Sequence, residues 1–566
     1  MQPEFDVIVV GAGPAGAASA LTLARKGFNV IMLEKAKIPG ERNVTGGVLY
    51  GDFSGKYGLI DLLPEFEAEA PVERKVVSHE VYVVSNARDN KYRYYKMNRG
   101  SAAVRMGIFS IPPEGGHDYT VLRRGFDRWF ALKAVEAGAM LSTSTTVEGL
   151  LKEGNAVVGV RTPQGDINSK VVIDCSGVTS PLVEEAGLRE HLGPSQLYHG
   201  VKHVLKLDEE TVNSRFGVKK GEGKAMALLG EFMDGISGGA FIYTNRDTIS
   251  IGMVVSMNSM LKKITTDFTD TGKLLDVLER LEGNPLVAEL IDGSEMLEYS
   301  AHNIPKSYKC ILKRPYADGF LVAGDALGSF VKIGSMIDGM RRAIASGMMA
   351  AEAFIGASAS GSYGAGSLAG YMDILKPIYR DVARSGRDSF VSESSLAYSL
   401  FPKLVLATGL TSKEGDVKVM KPIDQRDAIQ RIQDGTSLLN YDEDKDYAHI
   451  KVNAEGCSRA LDKPWVPACP VNCYTILTSK GVFASFKDLY IYNLRKLESD
   501  AGAKGGNEKN FRYRALLQSR KDVALAGLRF DWVACVECGT CGAIGPKDMV
   551  DFHSEKNGHG VRYKFG

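Results

Sequence analysis

Cysteine is scarce: the chain has eight in 566 residues, two isolated at Cys175 and Cys310 and six crowded between Cys457 and Cys541. So uneven a distribution argues against a disulfide framework and fits a reducing compartment. No apolar run reaches 18 residues, which excludes a spanning helix of the usual kind. Neither sign of charge dominates, with 69 basic and 68 acidic residues. No lysine or arginine block stands out, so no nucleic acid partner is expected. The start, Met1 to Asp6, lacks the basic region and apolar core of a signal peptide and leads straight into a strand-like run, so a cytoplasmic location is expected. The length is too great for one core and implies about two to four domains.

What is present is concentrated near the end. Cys535-Val536-Glu537-Cys538-Gly539-Thr540-Cys541 spells C-x2-C-x2-C, and Cys469-Pro470 lies upstream. In the bacterial ferredoxin plan, three thiolates at this spacing and a remote Cys-Pro ligate one cubane cluster, and the fourth Cys of each run serves the other cluster. The fourth position of the second run is Gly545. The first run keeps Cys457, with Ala460 and Trp465 where further ligands would be sought. One 4Fe-4S cluster is therefore expected, with Cys469, Cys535, Cys538 and Cys541 as metal ligands. Four thiolates also suit tetrahedral zinc, but this run is too tight for paired C-x2-C knuckles. Cys310, Cys457 and Cys473 read as spare thiols, buried as small hydrophobes.

The front of the chain has a different signature. Phe5 to Val10 is an apolar β-branched run entering Gly11-Ala12-Gly13-Pro14-Ala15-Gly16, followed by a helical pattern to Lys26 and a second strand, Asn29 to Leu33, ending in Glu34. This is G-x-G-x-x-G between strand and helix, with an acid at the end of the next strand. Gly11 permits the turn, Gly13 the approach of a pyrophosphate and Gly16 the packing of helix on sheet, while Glu34 would accept from a ribose hydroxyl. Two further apolar runs end in small or acidic residues: Val171 to Gly177, containing Ser176, and Gly319 to Asp325. The second is followed by glycines at 328, 334 and 339 and a helix from Met340 to Phe354.

Gly324-Asp325 and this helix resemble the second FAD fingerprint of the flavoprotein monooxygenase and geranylgeranyl reductase superfamily. There the acid contacts the ribityl chain, and a helix N-terminus faces the flavin. Glu41-Arg42-Asn43-Val44-Thr45-Gly46-Gly47-Val48-Leu49-Tyr50 resembles the N-V-T-G-G-x-L-Y segment of FixC proteins and of electron transfer flavoprotein:quinone oxidoreductases. Val121 to Trp129, with Arg123, resembles their V-L-R-x-x-F-D-x-W segment, and Tyr243-Thr244-Asn245 and Tyr299 to Pro305 are similar to others. The tail, through His449 to Val452 and Cys469 to Tyr474, resembles FixX, the ferredoxin-like partner of FixC. It departs from that pattern in the 61 residues between Cys473 and Cys535, a long insertion read as a surface loop or extra helix.

The resemblance implies FAD held by Gly11, Gly13, Pro14, Ala15, Gly16, Glu34, Lys35, Arg42, Asn43, Thr45, Gly46, Gly47, Arg123, Val147, Ser176, Gly177, Gly324, Asp325, Gly339 and Met340. The fold class expected is α/β with α+β. A Rossmann-like FAD-binding domain would span 1–190 with 300–385, and a β-rich quinone or substrate domain 191–299, the latter including a strand-like Gly239 to Met253 and a helix-like Leu274 to Leu290. An apolar membrane-facing segment and linker would span 386–431, and a bacterial-ferredoxin-like 4Fe-4S domain 432–566. Two apolar stretches, Ala102 to Pro113 and Leu396 to Leu410, read either as core or as a monotopic membrane surface. The activity implied is electron transfer from an electron transfer flavoprotein, of alpha and beta subunits, to a membrane quinone, at the inner face of the cell membrane. A prenyl double-bond reductase and an electron-relay subunit are the alternatives. No catalytic acid or nucleophile is assigned; His199, His203 and His302 are candidates for delivering quinol protons, each weighed against a structural role.

Overall fold

The β-branched run at the front forms the strand Phe5–Val10, parallel to Val30–Leu33 on one side and Gly165–Asp174 on the other, with Val9 opposite Met32 and Ile173. Phe320–Val322 extends the sheet beyond Gly165–Asp174, and Met140–Ser142 extends it beyond Val30–Leu33. Val7, Ile8, Val171, Val172, Phe320 and Leu321 are fully buried, as strands covered on both faces must be. The computed structural model describes residues 3–566 apart from 45–46, 106–110, 112–115, 267–273, 334–335, 395–399, 408–411, 421–436, 454, 457–462, 484–485, 502–507, 525 and 531–534.

Two helices determine where this sheet can bind a ligand. Pro14–Ala24 follows the first strand, and Met340–Ser358, one turn longer than its sequence pattern suggested, packs against it. Gly347 allows the approach, since a Cβ there would stand 2.1 Å from the Ala15 carbonyl oxygen. Both helix N-termini, at Gly13 and Gly339, consequently open on one cavity beside the carboxyl ends of the parallel strands.

Among the described residues the second large sheet has ten strands, led by Glu295–Pro305, Leu197–Lys206, Thr248–Ser256, Gly238–Thr244 and Glu222–Gly230. Its boundaries differ from the expected 191–299. Val72–Val84 pairs in parallel with Glu222–Gly230, bringing in Lys91–Met97, Val48–Tyr50 and Asp118–Val121 from the first part of the chain. Lys413–Asp416, expected in a linker, pairs with Lys91–Met97 as an edge strand. Gly239 to Met253 is a hairpin broken at Asn245 to Asp247, and the expected helix from Leu274 divides into Leu274–Glu282 and Pro285–Ile291 at Asn284, whose side chain accepts from Leu286 N. An Asn before Pro stops one helix and caps the next.

The C-terminal part is built from short pairings between its two ends, Asn440–Asp442 with Gly560–Arg562 and Ile450–Val452 with Val550–Phe552. The insertion contributes strands Tyr474–Thr478, Gly481–Phe483 and Gly527–Phe530 and two helices packed on one another, Phe486–Ala501 and Glu508–Ala524. It is thus more than the surface loop or single helix expected. Cys457 and Ala460 lie outside the described residues. Among the described residues, no helix is long and apolar enough to cross a membrane.

Candidate functional site

A cavity of about 700 Å³ opens where the parallel strands end. The first fingerprint contributes Gly11, Gly13, Pro14 and Ala15 to its wall; Gly16 instead packs beneath, where a Cβ would be 1.8 Å from the Gly11 carbonyl oxygen. Gly11 has φ +95° and sits against the Cys175 carbonyl, so no other residue suits the turn. Glu34 closes the loop by accepting from Ala12 N and Ala36 N, both at 2.9 Å. Lys35, Arg42, Asn43, Gly47, Arg123 and Val147 complete one side, and Ser176, Gly177, Gly324, Asp325, Gly339 and Met340 the other. Thr45 and Gly46 lie outside the described residues.

The electrostatics of this cavity suit an anionic, polyhydroxylated ligand. Arg123 grips Asp127 through Nε at 2.9 Å and NH2 at 2.7 Å, and Asp127 also accepts from Asn43 Nδ2 at 2.5 Å. Arg42 has buried Nε and NH2 groups without a partner, and Asp325 has a buried, unpartnered Oδ1. Such groups are costly unless a ligand completes them. Burial pushes the Asp325 carboxyl up to about 6 against the pull of Arg123, and burial with Arg42 nearby brings Lys35 down to about 8. FAD fits these residues: a diphosphate for Arg42 and the helix N-terminus at Gly13, and hydroxyl donors for Glu34 and Asp325.

Sequence reasoning missed the apolar end of the cavity, formed by Val48, Tyr243, Val254, Ile304, Phe330 and Ile337. These residues come from separate strands and loops, and only register brings them together. The motif around Tyr243 and the one from Tyr299 to Pro305 were the available signals. His302 and Asn303, from the second motif, also line the cavity.

The wall beyond them comes from the C-terminal part, including Gly539, Gly542 and Ala543. Cys469, Cys535, Cys538 and Cys541 are all buried in one apolar cluster. Cys473 N donates to Cys469 Sγ and Glu537 N to Cys535 Sγ, both at 3.3 Å. Cys473, read as a spare thiol, also hydrogen-bonds the thiols of Cys469 and Cys535, and this contact, with help from His449 and against burial, brings Cys535 down to about 6. Among the described residues, no three His, Cys, Asp or Glu side chains form a site for a metal ion. Four buried thiols suit either one tetrahedral zinc or one cubane, which takes a thiolate at each iron corner. At Gly545 a Cβ would meet the Cys541 carbonyl oxygen at 2.9 Å and Val550 at 3.0 Å, so the fold leaves no room for a side chain where a further cysteine ligand would be expected.

Thr540 joins the two sites. Its Oγ1 lies 2.9 Å from His199 Nδ1, 3.0 Å from Asn303 Oδ1 and 3.3 Å from Cys538 Sγ. Burial lowers both His199 and His302 to about 4, leaving them neutral. His203 pairs with Glu282 at 2.6 Å in the core, a structural arrangement.

Comparison with known proteins agrees with this geometry. Residues 6–199 match the FAD dependent oxidoreductase family. The chain is 33% identical over 407 residues to the probable electron transfer flavoprotein-quinone oxidoreductase YdiS of Escherichia coli (strain K12), covering 71% of this chain and 89% of that protein. It is 35% identical over 373 residues to protein FixC of the same organism, covering 66% and 81%. The geranylgeranyl bacteriochlorophyll reductase-like protein of Thermoplasma acidophilum superposes with a TM-score of 0.54 at 20% identity, covering 71% of this chain and 90% of that one, a likeness of fold alone. The flavin-type cavity and these similarities together establish that the chain belongs to the FixC and electron transfer flavoprotein-quinone oxidoreductase family of FAD-dependent oxidoreductases.

Proposed function

We propose that the chain takes electrons from a reduced electron transfer flavoprotein, of alpha and beta subunits, and delivers them through one 4Fe-4S cluster and FAD to a membrane quinone. The observation that carries this reading is Thr540, which contacts both the side chain of Cys538 and the His199–Asn303 pair at the cavity wall. A cysteine module built into the wall of a flavin cavity suits electron exchange between the two. When bound, FAD accepts or releases one or two electrons and the cluster one, so together they match single-electron arrivals to a two-electron acceptor.

The protein's own residues account for binding and exclusion of water. Cys469, Cys535, Cys538 and Cys541 would hold the cluster, while Arg42, Asn43, Arg123, Glu34 and Asp325 would hold FAD. Phe330, Tyr243, Ile304 and Val254 give an apolar surface for a quinone ring. His302 lines the same cavity and is neutral at physiological pH, with one N–H to donate and one ring nitrogen to accept, so it can pass a proton without storing an extra one.

Attachment to the inner face of the cell membrane is part of this reading, and its support is the exposed side of the place where the two apolar stretches meet. Val104 and Ile111 from the first, and Phe401 and Leu406 from the second, share one cluster with Val81, Val83 and Met97. The helix Phe401–Ala407 that follows Leu400 leaves Leu400 45% and Leu404 57% exposed. Leu406, however, is only 5% exposed and belongs to the core.

An anaerobic assay with reduced electron transfer flavoprotein, offering a short-chain quinone and an unsaturated prenyl lipid in parallel, tests the activity. Quinone reduction alone is expected. Prenyl reduction would make the chain a prenyl reductase, and turnover only with further subunits would make it a relay. Four irons and four acid-labile sulfides per FAD are the cofactor count expected; eight irons or none would overturn the assignment.

A further inference from the structure

The loop from Glu34 to Val44 faces the flavin cavity on one side and the cysteine module on the other. Lys35 O accepts from Gly558 N at 2.7 Å, and Glu41 O accepts from Tyr563 N at 2.7 Å. Arg42 NH1 donates to Glu555 O at 3.0 Å and pairs with Glu537 Oε2 at 3.2 Å, the two side chains being 7% and 6% exposed. The remaining guanidinium groups of Arg42, Nε and NH2, are the buried unpartnered ones, and Arg42 lines the cavity.

Glu537 is held as firmly from its own side. It lies between Cys535 and Cys538 with φ +50°, a left-handed conformation that costs a non-glycine residue energy unless its surroundings enforce it. Its carboxylate accepts from Glu555 N at 3.2 Å and Val561 N at 3.0 Å as well as from Arg42. Its backbone N–H meanwhile donates to Cys535 Sγ at 3.3 Å. One residue therefore carries both the ion pair to the flavin loop and a hydrogen bond to a cysteine sulfur.

We infer that Arg42 couples the two cofactor sites, its free Nε and NH2 gripping an anionic group of the flavin dinucleotide while NH1 holds Glu537 and through it the loop Cys535 to Cys538. The inference rests on the proposed reading of both cofactors. A planar guanidinium transmits this ordering because fixing one edge fixes the other. The pair is buried, so losing Glu537 leaves a buried charge unpaired, and losing the flavin leaves the Nε and NH2 donors unsatisfied. Flavin binding must then strengthen cluster retention by the factor with which the cluster strengthens flavin binding.

Flavin-free protein, with its cluster intact or its iron removed by chelation, would be titrated with FAD and followed by flavin fluorescence. Cluster-loaded protein should bind FAD about tenfold more tightly, and added FAD should retard iron loss to a chelator. Glu537→Gln, loaded with four irons, should weaken FAD binding to a similar degree. Lys37→Ala, which breaks the Lys37–Asp442 pair at an exposed contact between the same two parts, should leave binding unchanged. Equal affinity of loaded and chelated protein would overturn the coupling, as would an equal loss in Lys37→Ala and Glu537→Gln. The chelation comparison stands alone if Glu537→Gln fails to fold. Purified protein without four irons would overturn the cofactor reading and this inference with it, whereas four irons with unchanged affinity would overturn the coupling alone.

Discussion

Thr540 Oγ1 lies 2.9 Å from the Nδ1 atom of His199, although 341 residues separate them in the chain. The hydroxyl donates to Asn303 Oδ1 and accepts from the Cys538 thiol; as a thiolate that sulfur has no proton to give and becomes a second acceptor for the one hydroxyl proton. A donor at a thiolate sulfur stabilises the more negative, reduced state of a cluster. Thr540→Val keeps the shape and removes the proton. Its cluster midpoint potential should fall by on the order of tens of millivolts, with iron and FAD content unchanged. Redox titration followed by electron paramagnetic resonance measures this; an unchanged potential would show that the hydroxyl serves only His199 and Asn303.

Much of the flavin end was legible because its signals are local. Gly11, Gly13 and Gly16 lie within one turn of chain, and each demand on them, a positive φ, an open approach or a close packing, acts on neighbouring atoms. The apolar end was not legible, because Tyr243, Phe330 and Ile304 meet only through long-range strand and loop placement. Val72–Val84 illustrates the difficulty: its parallel pairing with Glu222–Gly230 joins segments about 150 residues apart, and no sequence period records a partner. The Arg42–Glu537 pair was invisible for the same reason. Apolar composition marked Phe401 to Leu406 as unusual but could not separate outward Leu404 from inward Leu406, which depends on how a short helix rests on a sheet.

That separation decides which residues a membrane test should change. Leu400→Ser with Leu404→Ser should leave FAD content and melting temperature nearly unchanged while reducing sedimentation with liposomes several-fold. Leu406→Ser should instead cost about 2–4 kcal/mol of stability, since it buries a hydroxyl and leaves a cavity against Val81, Val83 and Met97. Undiminished sedimentation of the double variant would remove this patch from the membrane reading.

The neutral histidines give a pH dependence of definite sign. Burial holds His199 and His302 near 4 in the native protein, and an unfolded chain protonates histidine at its ordinary value near 6.5. As pH falls from 6.5 toward 4, the unfolded chain takes up protons that the native state refuses, and stability is lost; above 6.5 the penalty vanishes. Each residue should cost about 2 kcal/mol at about pH 5. Urea unfolding of flavin-free protein should show a midpoint that falls between pH 7 and pH 5, and His302→Gln should flatten that fall by about half. A midpoint independent of pH over this window would mean that both rings titrate normally.

Gly13 and Gly16 lie three residues apart but should respond to alanine in opposite ways. At Gly16 the added Cβ would stand 1.8 Å from the Gly11 carbonyl oxygen, with Val9 at 3.3 Å, so the helix must lift from the sheet. Overpacking of this kind costs about 1–3 kcal/mol or more, and Gly16→Ala should lower the melting temperature even without flavin. At Gly13 the nearest atoms are Asn43 Nδ2 at 3.7 Å and Arg123 NH2 at 3.9 Å, and its φ of −75° suits any residue. Gly13→Ala should therefore fold normally. Its methyl group would project toward polar side chains that line the cavity, where a pyrophosphate must approach the backbone, so FAD affinity should drop at least tenfold. Scanning calorimetry of the flavin-free variants, set against FAD titration, distinguishes the two effects. Normal affinity in Gly13→Ala would mean that the dinucleotide does not lie along the Gly11 to Gly16 loop.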